Sequence, residues 1–314
     1  MAVARIAGEI EAMTSAVLRF PLQLVFWLGI LIPVQAAFEP PEVPTGWRYH
    51  HDLEIGQVGD YVLRMELLAP EHAPEAALPA LVYIHGGGWN HGSKDDQARR
   101  LAGIARRGYV AAAITYRFAP EHTYPAQIED VQAAIRFLKA HASAYHLDPS
   151  RINLWGTSAG GHLASLAGTA ANDVDYATHG LWPDEDAHVF AVVDFSGPNS
   201  NFLAFPAARA GSLTAFLGAP AQSEPARARE AMPITHVDAD DPPFFVAHGT
   251  ADSIVPIQCS RDFVDALQAA GGHVEYHEME GSGHGFSHTH PEAQDLAYAF
   301  LQRLNFPERS ASQP

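Results

Sequence analysis

The chain has 314 residues, of which 47% are hydrophobic and 18% charged, so it has ample material for a hydrophobic core. Its formal net charge is −17 and it contains no cluster of lysine and arginine, which argues against nucleic acid and anionic membrane surfaces as partners. Its single cysteine, Cys259, excludes an intrachain disulfide and a cysteine-thiolate metal cluster, and we interpret it as an ordinary thiol.

The first 36 residues predict a secretory signal peptide. Residues 20–38 are uncharged and mostly apolar, Arg19 precedes them, and Val34 and Ala36 occupy the positions that a signal peptidase inspects. We therefore expect cleavage after Ala36, export to the periplasm or the medium, and no stable membrane association afterwards.

Two alternatives to this N-terminal prediction stay open. The run of residues 20–38 is nearly long enough to be an uncleaved membrane anchor, or it is a buried helix, although Pro21 and Pro33 weaken both interpretations. Met13 is an alternative start, because the segment before Arg19 is long for a signal peptide and contains acidic residues.

Strand and helix patterns alternate along the rest of the chain. Residues 53–69 predict an antiparallel hairpin around Gly56 and Gly59, and residues 200–232 predict small helices over a site. Buried strands are predicted over residues 80–84, 109–116, 151–155, 189–195, 243–247 and 274–279, and helices over 95–107, 125–141, 158–170, 260–270 and 291–304. This alternation predicts an α/β fold with a mostly parallel sheet covered on both faces, and a ligand site beyond the carboxyl ends of the strands.

Ser158 lies in the pattern Gly-x-Ser-x-Gly, between a predicted strand and a predicted helix. A nucleophilic serine on a sharp strand-to-helix turn requires this context, and Gly156 and Gly160 avoid clashes there. The alternative is a glycine-rich turn with an incidental serine. The context favours a nucleophile.

A serine nucleophile requires a base, and His284 is the candidate among 18 histidines because it follows the strand over residues 274–279 on a glycine-rich loop. His288 and His290 form a series with His284, but the spacing matches no standard zinc site, so we expect both to be solvated. No metal site is predicted.

The acid that orients the base is predicted to be Asp252, which directly follows the strand over residues 243–247. Asp238, Asp240 and Asp241 precede that strand and should therefore lie at the opposite end of the sheet.

The sequence His85-Gly86-Gly87-Gly88-Trp89 follows another buried strand and predicts an oxyanion hole. Glycine backbone can turn its N–H groups toward a substrate, so we expect Gly87, Gly88 and Ala159 to be the donors. His85 is predicted to form structural hydrogen bonds and Trp89 to be a wall of the substrate pocket. A phosphate-binding glycine loop is the alternative, but its signatures are absent.

These motifs resemble the α/β-hydrolase superfamily, in particular its HGGG-type esterases. The chain is most similar to the feruloyl/acetyl-xylan esterase-like (BD-FAE-like) branch, and the hormone-sensitive-lipase-like branch is the close relative. The matching stretches are residues 85–89, 116–126, 148–152, 156–162, 249–256 and 283–286. The resemblance implies an α/β-hydrolase domain over residues 37–306, followed by a tail over 307–314. Asn199 lies in a group near the substrate pocket of relatives and is therefore a candidate substrate contact.

This resemblance implies a serine carboxylic-ester hydrolase that needs no cofactor. Residues 37–79 are too few for the long helical cap of lipase-like members, which implies a short cap and an open cleft. Export and this cleft favour acetyl or feruloyl esters of polysaccharides as substrates. The alternatives are a general short-chain carboxylesterase, an arylformamidase-like amidase, or an inactive hydrolase-like binding protein. The sequence leaves the oligomeric state open.

Overall fold

Strands and helices alternate along the chain in the computed structural model, which describes residues 38, 40–171, 181–205, 210–286 and 290–307. The strands are β1 (Trp47–Val58), β2 (Tyr61–Pro70), β3 (Leu78–Ile84), β4 (Val110–Ile114), β5 (Leu147–Thr157), β6 (Ala191–Phe195), β7 (Phe244–Gly249) and β8 (Val274–Met279). The helices are α1 (Ala98–Ala105), α2 (Ala126–Ala140), α3 (Ala159–Thr169), α4 (Ala210–Leu217), α5 (Pro225–Glu230), α6 (Gln258–Ala269) and α7 (Pro291–Asn305). Short 3-10 helices cover Asp95–Gln97, Phe202–Ala204 and Pro233–Thr235.

The eight strands form one sheet in the order β1-β2-β4-β3-β5-β6-β7-β8. β1 and β2 form the predicted antiparallel hairpin, and its turn at Gly59 has a φ of 57°, which glycine adopts without strain. β2 is antiparallel to β4, and the strands from β4 through β3 to β8 are parallel to their neighbours. The predicted mostly parallel sheet is confirmed.

Two hydrophobic cores lie on opposite faces of this sheet. Along β3, Val82 and Ile84 belong to one core, whereas Leu81 and Tyr83 belong to the other, because successive side chains of a strand point to opposite faces. The first core packs against α2, α3 and α6, and the second against α1 and α7. Helices therefore cover both faces, as the alternating pattern predicted.

The observed boundaries differ from the predicted ones at several elements, and β1 begins at Trp47, six residues before the predicted hairpin. β5 begins at Leu147, where it pairs with Leu78 before an irregularity in the register. The Asp148-Pro149 sequence hides this extension, because it is typical of a turn. The helix predicted over residues 95–107 is divided into the 3-10 helix at its start and α1.

The predicted signal peptide over residues 1–36, its alternatives and the tail beyond residue 307 lie outside the described residues. Within the described ranges, every helix is too short or too polar to cross a membrane.

Candidate active site

Ser158 occupies the turn between β5 and α3, with φ 57° and ψ −123°. A non-glycine residue with positive φ is strained, and such strain concentrates at functional sites. The Ser158 amide donates to the carbonyl of Phe195 at 2.7 Å, and the Ser158 carbonyl accepts from the His162 amide at 2.9 Å. These two backbone bonds hold the serine in this conformation at the carboxyl end of the sheet.

The glycines on either side of Ser158 leave no room for a side chain. A Cβ atom on Gly156 would lie 2.0 Å from the carbonyl oxygen of Gly160, and one on Gly160 would lie 2.1 Å from that of Ile84. Both obstacles are backbone atoms, which cannot move aside as a flexible side chain would. The Gly-x-Ser-x-Gly spacing is therefore a steric requirement of this turn.

Ser158, His284 and Asp252 form one hydrogen-bonded chain, although they lie far apart in the sequence. Ser158 Oγ lies 2.8 Å from His284 Nε2, and His284 Nδ1 lies 2.6 Å from Asp252 Oδ2. An ionised carboxylate only accepts, so Nδ1 carries a proton and Nε2 is the acceptor for the serine hydroxyl. This is the arrangement in which histidine can remove the hydroxyl proton.

The Asp252 carboxylate is buried and surrounded by donors. Its Oδ1 accepts from the amides of Ile254 and Val255 at 2.8 and 2.9 Å. His248, which the sequence analysis did not identify, places Nε2 3.1 Å from Asp252 Oδ2. Burial by itself would raise the pKa of Asp252, but the hydrogen bonds from His248 and His284 outweigh it and hold that pKa well below its usual range. Asp252 is therefore ionised next to His284 at neutral pH.

The glycine loop after β3 borders the same cleft as Ser158. Gly87 has φ 120° and Gly88 has φ 57°, and both line the cleft together with Ala159. His85 Nδ1 donates to the carbonyl of Gly86 at 2.7 Å, and its ring stacks on Tyr116. His85 thus forms the predicted structural hydrogen bond. The structure brings the three predicted oxyanion donors to one edge of the cleft that Ser158 lines.

Trp89 lines the cleft but is only 4% exposed. Its indole stacks on Phe216 with ring centroids 4.5 Å apart, and its Nε1 donates to His162 Nδ1 at 3.1 Å. The side chain therefore fixes the glycine loop in the core in addition to being a wall of the cleft.

The cleft beside Ser158 has a volume of about 640 Å³. Its apolar wall includes residues that the sequence analysis had not assigned, namely Pro198, Phe205, Leu213, Ile254 and Val255. Phe205 and Leu213 belong to the segment predicted to form small helices over the site. That segment contains α4 and α5, and residues 206–209 within it lie outside the described ranges.

Asn199, predicted to contact substrate, is instead fully buried. Its Nδ2 donates to Asp194 Oδ2 at 2.6 Å, and it is not among the residues that line the cleft. Burial raises the pKa of Asp194 to about 6, against the opposing effect of the hydrogen bond from Asn199. An unpaired buried carboxyl group is costly, so the Asn199 amide is used to satisfy Asp194 rather than a substrate.

The other polar candidates lie away from the serine. Cys259 is buried, and this burial raises the pKa of its thiol to about 12, so it is unsuited to be a nucleophile. His290 pairs with Glu292 at 2.5 Å, and His288 is outside the described residues. A separate cavity at the opposite end of the sheet is lined by Asp238, Asp240, Asp241 and Ser150. Ser150 precedes the buried part of β5.

One group of side chains has the composition of a metal site. His51, Glu66 and Asp95 each place one ligand atom within 4.8 Å of the others. Lys94 Nζ already lies 2.6 Å from Glu66 Oε1 and 2.6 Å from Asp95 Oδ1. The Lys94 ammonium therefore compensates part of the charge of these carboxylates, and the group is a partly buried ion-pair network centred on Glu66.

Comparisons with known proteins find esterases among the relatives of this chain. The protein named "Probable carboxylic ester hydrolase LipM" from Mycobacterium tuberculosis is 37% identical over 76% of this chain and 57% of its own length. Esterase LipC from the same organism is 34% identical over 82% of this chain and 66% of its own length. The chain thus spans between about half and two thirds of the length of these curated relatives.

Two solved structures share this fold, and the match with this chain covers nearly the whole length of each. A truncated carbohydrate esterase from gut microbiota has a TM-score of 0.75 and 26% identity, over 85% of this chain and 99% of that one. Esterase Est2 from Thermogutta terrifontis has a TM-score of 0.68 and 28% identity, over 85% of this chain and 95% of that one. The fold is that of the α/β-hydrolases. The BD-FAE family model matches residues 65–267, about two thirds of the sequence, and the chain belongs to the BD-FAE family.

Proposed function

We propose that this protein is a serine carboxylic-ester hydrolase in which Ser158 is the nucleophile, His284 the general base and acid, and Asp252 the residue that orients His284. The observation that carries the proposal is the continuous chain of hydrogen bonds from Ser158 Oγ through His284 to Asp252, at 2.8 and 2.6 Å, on the wall of a cleft. The esterase names of relatives over most of this chain support the same reaction class.

The reaction follows from the protons on these atoms. Ser158 Oγ attacks the ester carbonyl carbon while His284 Nε2 takes the hydroxyl proton, and the ionised Asp252 stabilises the resulting imidazolium. His284 then gives that proton to the leaving alcohol oxygen as the C–O bond breaks. Water attacks the acyl-enzyme by the same route, which releases the acid and returns the proton to Ser158.

The negative charge on the tetrahedral intermediate requires fixed donors near Ser158. The amides of Gly87, Gly88 and Ala159 border the cleft beside the serine and are the proposed donors. The N-terminus of α3, which begins at Ala159, adds a favourable dipole.

For the substrate, we propose acetyl or feruloyl esters of polysaccharides. A cleft of about 640 Å³ is large enough for an acyl group together with a sugar residue. Two structural neighbours are described as a carbohydrate esterase and as an acetyl ester-xyloside bifunctional hydrolase, which supports this class.

The nucleophile is tested with Ser158→Ala and, as a matched control, Ser150→Ala, whose hydroxyl bonds Asp148 at the other end of the sheet. Hydrolysis of p-nitrophenyl acetate and labelling by a fluorophosphonate should both be lost in Ser158→Ala and retained in the control. Turnover by Ser158→Ala at the wild-type rate would refute the assignment. A folded wild type that neither hydrolyses esters nor reacts with the probe would indicate a binding protein.

The substrate class is tested with acetylated xylan, feruloylated oligosaccharides and a series of p-nitrophenyl esters. We expect release of acetate or ferulate from the polysaccharide substrates by the wild type but not by Ser158→Ala. Hydrolysis of the small esters alone would replace this proposal with a general short-chain carboxylesterase.

A further inference from the structure

His248 is a fully buried histidine on β7 that contacts three elements around the proposed acid. Its Nε2 lies 3.1 Å from Asp252 Oδ2 and 3.1 Å from the carbonyl oxygen of Val255. Its Nδ1 lies 2.7 Å from Ser260 Oγ, at the start of α6. The ring therefore connects the strand, the loop that carries Asp252 and the following helix.

The partners of His248 determine where its proton lies. Both neighbours of Nε2, the ionised Asp252 carboxylate and the Val255 carbonyl, can only accept, so Nε2 carries a hydrogen. The Ser260 hydroxyl can donate to Nδ1 or accept from it, so it satisfies either state of that atom. The Nε2 hydrogen therefore bonds the Val255 carbonyl and lies beside Asp252 Oδ2, which is 3.1 Å from Nε2.

The other hydrogen bonds of Asp252 fix its Oδ1 more firmly than its Oδ2, so the contact of Oδ2 with His248 matters for the orientation of the carboxylate. Oδ1 is held by two amides of its own loop, from Ile254 and Val255. Oδ2 faces His284, which lies on a different loop and whose side chain is 22% exposed. His248 is the contact that ties Oδ2 to the central sheet, where backbone positions are fixed by hydrogen bonds on both sides.

We propose that His248 is a positioning residue for the triad: through Nε2–H it holds the Asp252 carboxylate in the orientation that presents Oδ2 to His284, and Ser260 fixes the His248 ring. This inference rests on the proposed ester hydrolysis and adds a fourth side chain to it. His248 does not touch the substrate. Its effect reaches Ser158 only through Asp252 and His284.

Three carboxyl groups face His248, namely Asp252 from its own loop, Asp194 from β6 and Glu278 from β8. On α6, the buried Cys259 thiol is uncharged at neutral pH and Arg261 pairs with Glu278. Removal of His248 therefore takes a donor away from the Asp252 carboxylate, which then lies near two other carboxyl groups, Asp194 and Glu278. The loss of this donor changes the charge and orientation that Oδ2 presents to His284, so the pH profile of kcat/KM should differ from that of the wild type.

The test compares His248→Leu, which removes the donor, with His248→Gln, whose amide nitrogen can donate from a similar position. His277→Leu is the matched control, because His277 lies on the adjacent strand β8 and stacks on Phe245. The amount of functional enzyme in each preparation is measured by fluorophosphonate titration, and kcat, KM and the pH profile are measured with p-nitrophenyl acetate.

For His248→Leu we expect kcat per titrated site to fall on the order of 10- to 100-fold, because a small displacement of catalytic groups is this costly. KM should change less than about threefold, and the pH profile of kcat/KM should shift relative to the wild type. His248→Gln should recover most of kcat and His277→Leu should resemble the wild type. This recovery distinguishes positioning from a contribution to folding, which would change the unfolding temperature but not kcat per site.

Wild-type kcat and an unchanged pH profile in His248→Leu would overturn the proposal, provided that the wild type hydrolyses the ester and Ser158→Ala does not. A wild type without activity would instead refute the proposed function. If His248→Leu does not fold, Ser260→Ala decides, because it keeps the imidazole but removes the partner of Nδ1. A fall in kcat there supports the proposal, and an unchanged kcat and pH profile overturns it.

Discussion

Trp89 Nε1 donates a hydrogen bond to His162 Nδ1 at 3.1 Å, and this bond connects the glycine loop to the helix that follows Ser158. His162 Nε2 lies 2.7 Å from the carbonyl oxygen of Ala231. An indole nitrogen only donates and a carbonyl only accepts, so His162 is neutral with its proton on Nε2. Burial lowers the pKa of His162 to about 4, although the bond to Ala231 opposes this shift.

The low pKa of His162 makes the free energy of unfolding depend on pH. An unfolded histidine has a pKa of about 6.5, so the unfolded state binds more protons between pH 6.5 and 4. The contribution of His162 to stability is therefore present above pH 6.5 and is lost as the pH falls toward 4. A difference of about 2.5 pKa units corresponds to about 3 kcal/mol.

His162→Phe should remove this acid dependence while keeping the ring volume. At pH 7 we expect a loss of about 1–3 kcal/mol for each unpaired partner, Trp89 Nε1 and the Ala231 carbonyl. Urea unfolding between pH 4 and 7 measures both effects. His273→Phe, at an exposed site, is the control. The same pH dependence in His162→Phe and the wild type would contradict the tautomer assignment.

The contribution of Asp194 to the free energy of unfolding should depend on pH in the opposite direction. Its folded pKa of about 6 lies above the unfolded value of about 3.9. Its contribution to stability is therefore complete below pH 3.9 and is lost as the pH rises through 6, by about 2–3 kcal/mol.

Asp194→Asn should gain stability relative to the wild type as the pH rises from 4 to 7. The new amide can donate to Asn199 Oδ1, which is buried without a hydrogen-bond partner. Urea unfolding at each pH gives the difference, and Asp265→Asn on the exposed side of α6 is the control. A stability difference that does not vary with pH would show that Asp194 is ionised throughout.

Gly160→Ala should prevent correct formation of the turn at Ser158. The added Cβ would lie 2.1 Å from the carbonyl oxygen of Ile84, and such overpacking typically costs about 1–3 kcal/mol, with the upper end expected against rigid backbone. Gly211→Ala is the matched control, because it lies at the cleft in α4 with no atom within 4 Å of the new Cβ. Thermal unfolding should separate the two variants, and equal stabilities would contradict the steric explanation of the motif.

Lys94→Met should destabilise the protein by about 3–5 kcal/mol, because Glu66 would remain buried without a cation. Tyr49 and His51 also contact this carboxylate, but neither is a permanent cation. Arg261→Met is the control, since its pair with Glu278 is largely exposed and should contribute little to stability. Urea unfolding at pH 7 compares them, and a loss below 1 kcal/mol for Lys94→Met would exclude a structural role for this network.

The sequence was sufficient to predict the order of strands and helices and the three residues of the proposed triad. Ser158, Asp252 and His284 each follow a buried strand, and the carboxyl ends of parallel strands meet at one edge of the sheet. Motif and strand position together therefore located them. Gly87, Gly88 and Ala159 were predicted as oxyanion donors by the same reasoning, and all three line the cleft.

His162 lies within a matching stretch and His248 directly precedes another, but neither could be selected in this way. The chain has 18 histidines, and only their partners in the fold distinguish them. The wall formed by Phe205 and Leu213 depends on how an irregular segment packs, which periodicity does not predict. Asn199 was predicted to contact substrate because its group lies near the substrate pocket of relatives, whereas its side chain is fully buried and donates to Asp194.

The sequence by itself determined which residues are available for chemistry and which strand each of them follows. The tertiary structure alone decided which donors surround each of them. Some hydrogen bonds connect β7 and the Asp252 loop with α6, and others connect the glycine loop with α3. The residues they join are close in space, but no regular spacing in the sequence predicts that they pair. Their geometry is set by the packing of helices on the sheet, and so the support of the proposed triad became visible only in the fold.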